Sequence, residues 1–329
     1  PLAECAYNNG NVIRQLSTAI NPTVEPPATL NWSHVYSYDG WNRLTGYSEG
    51  GSAMEGYGFD EFGNRWLTSR STALPGLTGL ATTSSWFNAK NRLLDPIQNT
   101  NESAFYDAAG NQIRIGAMNL TYDGEGRVAG ATNTGSGVVT YDYDAADKRV
   151  RSTVSGVSTV YVYEASGELA AEYGGSTTTS GPEFLTGDHL GSVRLVTDGA
   201  GAVKQRRDYG PFGEELETAS RTAIPGYGTG GQRHRFTGKE RDLETGLDYF
   251  GARYMSNVQG RFTAADSPFA DQHPETPQSW NLYQYGYNNP LANIDLDGRS
   301  VWTKAAKIAV KVAKGADAAS AFADNIQDL

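Results

Sequence analysis

Short stretches of alternating apolar and polar residues recur along the first half of the chain. Residues 138–143 read VVTYDY, and residues 157–163 read VSTVYVY. Because successive side chains of a β-strand point to opposite faces, this period of two predicts strands with one buried face. Turn-forming residues separate the stretches. We therefore expect consecutive antiparallel β-hairpins from about residue 30 to about residue 215.

The turns between these stretches share one sequence pattern. An aromatic residue is followed by an acid or amide, two variable residues, a Gly or Asn, and often an Arg with an apolar residue. The aromatic residue is expected to end a strand, the Asp to cap the turn, and the Gly or Asn to accept a positive φ. Single hairpins cannot bury their apolar faces alone, so the units should stack or curl into a larger sheet. The pattern begins at Tyr38, Phe59, Phe87, Tyr106, Tyr122, Tyr143 and Tyr163.

Composition agrees with turns joined by short strands and excludes several classes of protein. The chain has 39 Gly and 19 Tyr, and only 19% of its residues are charged. A net charge of −10 argues against a general nucleic-acid binder, because phosphate contacts need a surplus of Lys and Arg. The four His are scattered and Cys5 is the single cysteine, so we expect no cofactor, no metal and no disulfide framework. No apolar run is long enough to span a membrane, and a start at Pro1 is typical of a piece of a longer protein.

The aromatic–Asp units resemble the YD repeats of Rhs-type proteins, a family shared by bacterial polymorphic toxins, Tc toxin C components and animal teneurins. Three later segments, residues 188–214, 235–266 and 281–298, resemble the Rhs-associated core in the same order. The resemblance covers about residues 36 to 299. It implies a mainly β fold in which a strip of hairpins curls into a shell-like sheet, a C-terminal core forms a plug, and a short α-helix follows.

The same resemblance divides the chain into four parts. Residues 1–35 are an N-terminal flanking segment, and residues 36–180 form the hairpin strip. Residues 181–299 form the core, with the plug and a self-cleavage region. Residues 300–329, rich in Lys and Ala, begin the variable C-terminal region and are expected to be helical.

The core carries the candidate chemistry. The family is thought to cut its own chain with two aspartates, and the matching positions are Asp266 and Asp295, with Arg253 beside them. Two close carboxylates can share a proton, so that one activates water while the other polarises the carbonyl. The expected cleavage site is the bond between Arg299 and Ser300. The alternative from the residues alone is that these acids cap tight turns.

Two positions depart from the family pattern at this site. Leu296 stands where the family usually has Pro, and Arg299 stands where the residue before the cut is usually Leu. Because a large cationic side chain fits poorly into a pocket suited to Leu, these departures predict slow cleavage or none.

The resemblance implies a shell and processing module of a secreted or cell-surface protein, delivered by a bacterial secretion system in interbacterial competition. Such a module would act as a single-turnover aspartic-type autoprotease on an enclosed C-terminal toxin or effector. Its partners would be its own C-terminal effector region, further shell repeats or a delivery component, and cell-surface glycans, with no nucleic acid and no membrane span. Two alternatives remain open: a non-cleaving adhesion or glycan-binding protein, and a structural end-plug whose protease positions have decayed.

Two further expectations concern individual side chains. Trp280, Tyr283, Tyr285 and Tyr287 are predicted to lie on one strand face and to be more buried than the Tyr residues of the hairpin turns. The pair Glu214–Glu215 is expected in a solvated turn.

Overall fold

The chain is described by a computed structural model over residues 10–76, 79–95, 101–165, 169–175, 181–228, 230–268, 272–273, 276–299 and 301–303. The strands in these ranges are β1 (Arg14–Asn21), β2 (Ala28–Tyr38), β3 (Leu44–Glu49), β4 (Ser52–Phe59), β5 (Arg65–Arg70), β6 (Arg114–Ile115), β7 (Met118–Tyr122), β8 (Val128–Thr134), β9 (Gly137–Tyr143), β10 (Arg149–Val154), β11 (Val157–Tyr163), β12 (Leu169–Gly174), β13 (Glu183–Gly187), β14 (Val193–Asp198), β15 (Val203–Arg206), β16 (Glu240–Arg241), β17 (Leu247–Tyr249), β18 (Tyr254–Ser256), β19 (Arg261–Phe262), β20 (Asn293–Asp295) and β21 (Val301–Thr303). Helix in the described ranges is limited to α1 (Ala219–Thr222) and the 3₁₀ turns Ser84–Trp86, Glu102–Ala104, Phe236–Gly238, Pro277–Trp280 and Gly286–Asn288.

The strands form a succession of antiparallel sheets in which neighbours in sequence pair with each other. Strands β1–β5 form the first sheet, β6–β12 the second, β13–β15 the third and β16–β19 the fourth. Strands β20 and β21 form a final hairpin in which Asp295 lies opposite Val301. The predicted mainly β fold of consecutive hairpins is confirmed. Residues 300–329 were predicted to be helical, but Val301–Thr303 form strand β21 because they pair with β20. The rest of that region lies outside the described residues.

The six repeat units whose turns the structure describes, those that begin at residues 38, 59, 87, 106, 122 and 143, fold into the same capped turn. In the first unit, Asp39 Oδ1 accepts hydrogen bonds from the backbone amides of Trp41 and Arg43, both at 2.9 Å. The fifth residue of the unit, Asn42, has a φ of 61°. Equivalent positive φ values occur at Gly63, Asn91, Gly110, Gly126 and Asp147. The predicted roles of the acid and of the left-handed residue are therefore confirmed.

Successive units are also fastened to each other. The hydroxyl of Tyr143 donates to the carbonyl of Val128 at 2.7 Å, and that of Tyr163 donates to the carbonyl of Arg149 at 2.8 Å. In both cases the acceptor lies just after the turn of the preceding unit. The guanidinium of Arg127, from that same preceding turn, stacks 4.8 Å from the ring centre of Tyr143. The hydroxyl of each of these tyrosines thus has its hydrogen-bond partner in the preceding repeat, while the apolar ring packs at the end of its strand.

The C-terminal part of the chain packs against both large sheets. One buried cluster joins Leu44 and Tyr57 of the first sheet to Phe212, Phe250 and Tyr285. A second cluster joins Leu120, Val128, Val139 and Tyr141 of the second sheet to Leu247 and Tyr254. Because the later segment supplies the apolar partners of both sheets, it occupies the position expected of a plug. In the part of the chain that the structure describes, no helix combines the length and apolar character needed to cross a membrane.

The expectation for the aromatic residues of the plug is correct only in part. Tyr283 and Tyr285 are buried, but Tyr287 is half-buried and the side chain of Trp280 is 45% exposed. The segment is a series of bends and 3₁₀ turns, and Tyr287 has a φ of 51°, so the predicted strand face does not exist. Burial here follows packing against other segments instead of alternation along one strand.

The expectation of a solvated turn at Glu214–Glu215 is wrong. Glu214 is buried, and burial raises the pKa of its carboxyl group. Glu215 lies 3.0 Å from the guanidinium of Arg241 and also pairs with Arg235. These two acids belong to the charged interior of the core.

Candidate functional site

Arg253 is fixed at the entry to strand β18 by contacts on every side of its guanidinium group. The group stacks on the ring of Phe262, with its central carbon 3.8 Å from the ring centre. Nη1 donates to the carbonyl of Leu282 at 2.9 Å, and Nε donates to the carbonyl of Gly298. These bonds leave Nη2 directed at the acidic residues of the site.

The two predicted aspartates meet at Arg253. Nη2 of Arg253 lies 2.8 Å from Asp266 Oδ2 and 3.6 Å from Asp295 Oδ2. Asp266 follows β19, and its backbone amide donates to the carbonyl of Leu282 at 3.0 Å. Asp295 is the last residue of β20. The structure therefore brings together three residues that the sequence spreads over more than forty positions.

Asp295 also caps a turn, as the alternative interpretation expected. Its Oδ1 accepts hydrogen bonds from the amides of Gly298 at 2.7 Å and of Asp297 and Arg299 at 3.2 Å. Its other oxygen, Oδ2, is the one that faces Arg253. Turn capping and the contact with Arg253 are therefore compatible, because they use different oxygens of the same carboxyl group.

The environment of Asp295 favours its protonated form. The side chain is 2% exposed, and burial raises the pKa of its carboxyl group to about 6. The charge of Arg253 and the backbone amides of Gly298 and Asp297 act in the opposite direction and lower this pKa. A carboxyl group with this pKa can supply a proton near neutral pH.

The turn that follows Asp295 is held close to Arg253. Gly298 has a φ of 80°, and a Cβ at this position would lie 3.0 Å from the backbone nitrogen of Arg253. A side chain at Gly298 would therefore push the turn away from the two acids. Arg299 is mostly exposed, whereas Ser300 lies outside the described residues.

A cavity of about 140 Å³ lies beside Asp266 and Arg253. Arg253, Asp266, Gly298 and Arg299 line one side of it, and repeat turns of the second sheet line another. The cavity is large enough for several water molecules, since each occupies about 30 Å³ in the liquid. The site therefore has room for the water that hydrolysis of a peptide bond requires.

Sequence reasoning missed one residue of this neighbourhood, Asp147. Its Oδ2 lies 2.7 Å from Nη2 of Arg299, although 152 residues separate the two in sequence. The sequence did contain one signal for it. Asp147 occupies the fifth position of its repeat unit, and the other described turns have Gly or Asn at that position. Within the described ranges, no group of three or more His, Cys, Asp or Glu side chains is arranged to hold a metal ion.

Several known proteins resemble this chain in sequence, although no family model matches it. The tRNA3(Ser)-specific nuclease WapA of Bacillus spizizenii is 30% identical over 275 residues, which are 77% of this chain and 11% of the nuclease. Toxin subunit YenC2 of Yersinia entomophaga is 38% identical over 107 residues, or 32% of this chain and 10% of the subunit. The chain thus spans about a tenth of the length of these relatives.

Solved structures show the same fold. The crystal structure of TcdB2-TccC3 without its hypervariable C-terminal region aligns with 88% of this chain and 15% of the solved chain, with a TM-score of 0.51 and 19% identity. The Tc holotoxin pore of Photorhabdus luminescens aligns with a TM-score of 0.51 and 18% identity over the same shares of both chains. The chain is thus similar in sequence to Rhs-type toxin proteins, and it shares the fold of solved Tc toxin structures.

Proposed function

We propose that the chain is the shell and processing module of an Rhs-type protein that is secreted or delivered. In this proposal the module encloses a C-terminal toxin or effector and releases it by cutting its own chain after Arg299. The observation that carries the proposal is the meeting of Asp266 and Asp295 at one guanidinium nitrogen, beside the turn that ends in Arg299. Because the substrate is part of the same chain, a high effective concentration offsets modest chemical power.

The two acids would have different roles. Asp266 forms the shorter ion pair with Arg253 and would accept a proton from water. The water oxygen would then attack the carbonyl carbon of Arg299, while protonated Asp295 donates a hydrogen bond to the carbonyl oxygen. As the bond to Ser300 breaks, Asp266 would pass the proton that it took from water to the Ser300 nitrogen, which gives a carboxyl group on Arg299 and a free amine on Ser300.

Packing of the later segment supports the shell function. The core segment contacts both large sheets of the hairpin strip, so the cleavage site is anchored to the strip that would surround the cargo. The similarity to toxin proteins supports a delivered cargo as well. Partners of the module would be its own C-terminal region and further shell repeats or a delivery component.

The proposal is tested by mass spectrometry of the purified chain after long incubation. The parent chain should yield a fragment that begins at Ser300, whereas Asp266→Asn and Asp295→Asn should leave the chain intact. Asp297→Asn is the matched control, because Asp297 is exposed and lies in the same turn. A parent chain that stays intact, or cleavage that persists in Asp266→Asn, would contradict the proposal.

A second candidate function, binding of cell-surface glycans, is favoured by a separate feature. A cleft of about 590 Å³ is lined by aromatic and polar side chains, among them Trp41, Phe62 and Trp280 with Arg43 and Glu61. Exposed aromatic rings beside a few polar groups are typical of small-molecule sites, and a cleft of this volume falls within their usual range. A glycan array probed with the parent chain and with Trp41→Ala should show signals that the variant loses. No signal from the parent chain would exclude this candidate.

A further inference from the structure

We propose that Asp147 determines the specificity of the cut by holding the side chain of Arg299. This inference rests on the proposed self-cleavage and names the residue type that the site accepts before the cut. A basic residue would be preferred there, because Asp147 supplies the matching negative charge. Asp147 is thus a positioning residue and takes no part in the chemistry.

The ion pairs of Asp147 divide its two oxygens between two arginines. Oδ2 lies 2.7 Å from Nη2 of Arg299, and Oδ1 lies 2.8 Å from Nη1 of Arg127. Arg127 has another partner, since its Nε lies 2.7 Å from Asp123 Oδ2. Asp147, Arg127 and Arg299 all line the cavity that Asp266 and Arg253 also line. The contact therefore ties the turn that carries the cleavage site to the second sheet.

The repeat turn does not need a carboxylate at Asp147. The turn is already capped by Asp144, whose Oδ1 accepts hydrogen bonds from the amides of Ala146 and Lys148 at 2.9 Å. Asp147 occupies the left-handed position, with a φ of 62°. At that position a Gly avoids the steric cost that a side chain carries. The other described repeat turns have Gly or Asn there, namely Asn42, Gly63, Asn91, Gly110 and Gly126.

Asp147 departs from the repeat pattern, and Arg299 departs from the family pattern at the cleavage site. The two departures have opposite charges and therefore complement each other. A neutral residue at either position would leave the charge of its partner without this contact. The departure at Arg299 predicted slow cleavage or none, on the assumption of a pocket suited to an apolar residue. With Asp147 opposite, Arg299 is held by a charge-assisted contact, and the site accepts a basic residue.

The first experiment measures how well Arg299 is held, independently of self-cleavage. In the Asp266→Asn background, trypsin should cut after Arg299 about two- to fivefold faster when Asp147→Asn is added, as for loss of a partly exposed ion pair. Asp147→Asn preserves the turn, because Asn42 and Asn91 adopt the same backbone conformation. Asp142→Asn is the control, since Asp142 pairs with Arg151 on the same hairpin and should not change the tryptic rate. Equal tryptic rates with and without Asp147→Asn would overturn the proposal.

The second experiment measures specificity through the rate of release of the fragment that begins at Ser300. Asp147→Asn and Arg299→Leu should each slow release about two- to fivefold, and the double variant should be no slower than either, because all three lose the same contact. Arg299→Lys should retain most of the parent rate. Release that is unaffected by Asp147→Asn, or effects that add in the double variant, would overturn this inference and leave the proposed function standing. A parent chain that never releases the fragment would overturn both.

Discussion

Arg149 and Asp242 form a fully buried ion pair that joins the second sheet to the later, C-terminal part of the chain. Nη1 of Arg149 lies 2.8 Å from both carboxylate oxygens of Asp242, and 93 residues separate the two in sequence. Their side chains are 0% and 1% exposed. Nη2 of Arg149 lies 2.5 Å from Glu240 Oε2. A single guanidinium group, on the first residue of β10, therefore pairs with two buried acids from the later part of the chain.

Replacement of Arg149 with Met should destabilise the chain by about 3–5 kcal/mol, because it leaves Asp242 and Glu240 buried without this partner. Urea unfolding measures the change in the free energy of unfolding. Arg151→Met is the matched control on the same strand, since Arg151 is exposed and loss of its pair with Asp142 should change stability little. Similar losses in the two variants would show that the buried pair is not a major link between strip and plug.

The raised pKa of Asp295 predicts a dependence of stability on pH. Because burial raises this pKa from 3.8 to about 6, the folded chain binds a proton here that the unfolded chain has already released. Stability should therefore fall as pH rises from about 4 to about 6 and stay lower above that range. Asp295→Asn keeps an oxygen for the turn and removes the charge, so it should abolish the part of this fall that Asp295 causes, about 3 kcal/mol.

Thermal unfolding of the parent chain and of Asp295→Asn between pH 4 and pH 7.5 measures this difference. Asp297→Asn, in the same turn but exposed, should keep most of the fall, because the charge of Asp297 is the smallest of the causes that shift the pKa of Asp295. The same protonation predicts that release of the C-terminal fragment slows as pH rises above about 6. Parallel stability curves for the parent chain and Asp295→Asn would contradict the assignment.

The ring of Tyr285 should contribute strongly to the plug. Its side chain is fully buried, with its ring centre 5.6 Å from that of Phe250 and 6.0 Å from that of Phe262. Tyr285→Ala should cost about 3–5 kcal/mol of unfolding free energy, as for truncation of a large aromatic side chain in a core. Trp280→Ala is the control from the same segment and should change stability little, since Trp280 is largely exposed. A melting temperature of Tyr285→Ala equal to that of the parent would refute the prediction.

The hydroxyl groups that the tyrosines of the repeat units donate to a preceding segment should each contribute modestly. The hydroxyl of Tyr38 donates to the carbonyl of Val12 at 2.8 Å, so Tyr38→Phe should lose about 0.5–1.5 kcal/mol. Tyr173→Phe is the comparison, because Tyr173 is exposed and its substitution should be neutral. Urea midpoints of the two variants provide the measurement, and equal midpoints would argue against a role for this bond.

Local sequence was sufficient to predict the hairpins and their turns. The acid at Asp39 and the left-handed residue at Asn42 lie within four positions of each other, and the bonds that they make close within the same turn. Residue type and spacing within the unit are therefore enough to determine the turn. The resemblance to a known family further identified Asp266 and Asp295 as a pair, which the structure brings to Arg253.

Contacts between distant turns were decided by tertiary structure alone. No local pattern shows that Arg149 meets Asp242 or that Asp147 meets Arg299, because these contacts depend on how the plug packs against the second sheet. The same packing leaves Trp280 exposed while Tyr285, five residues later, is buried. The sequence by itself determined where the chain turns, since turns depend on neighbouring residues. Only the tertiary structure decided which turns meet, because that choice depends on the burial of apolar surface and charge across the whole molecule.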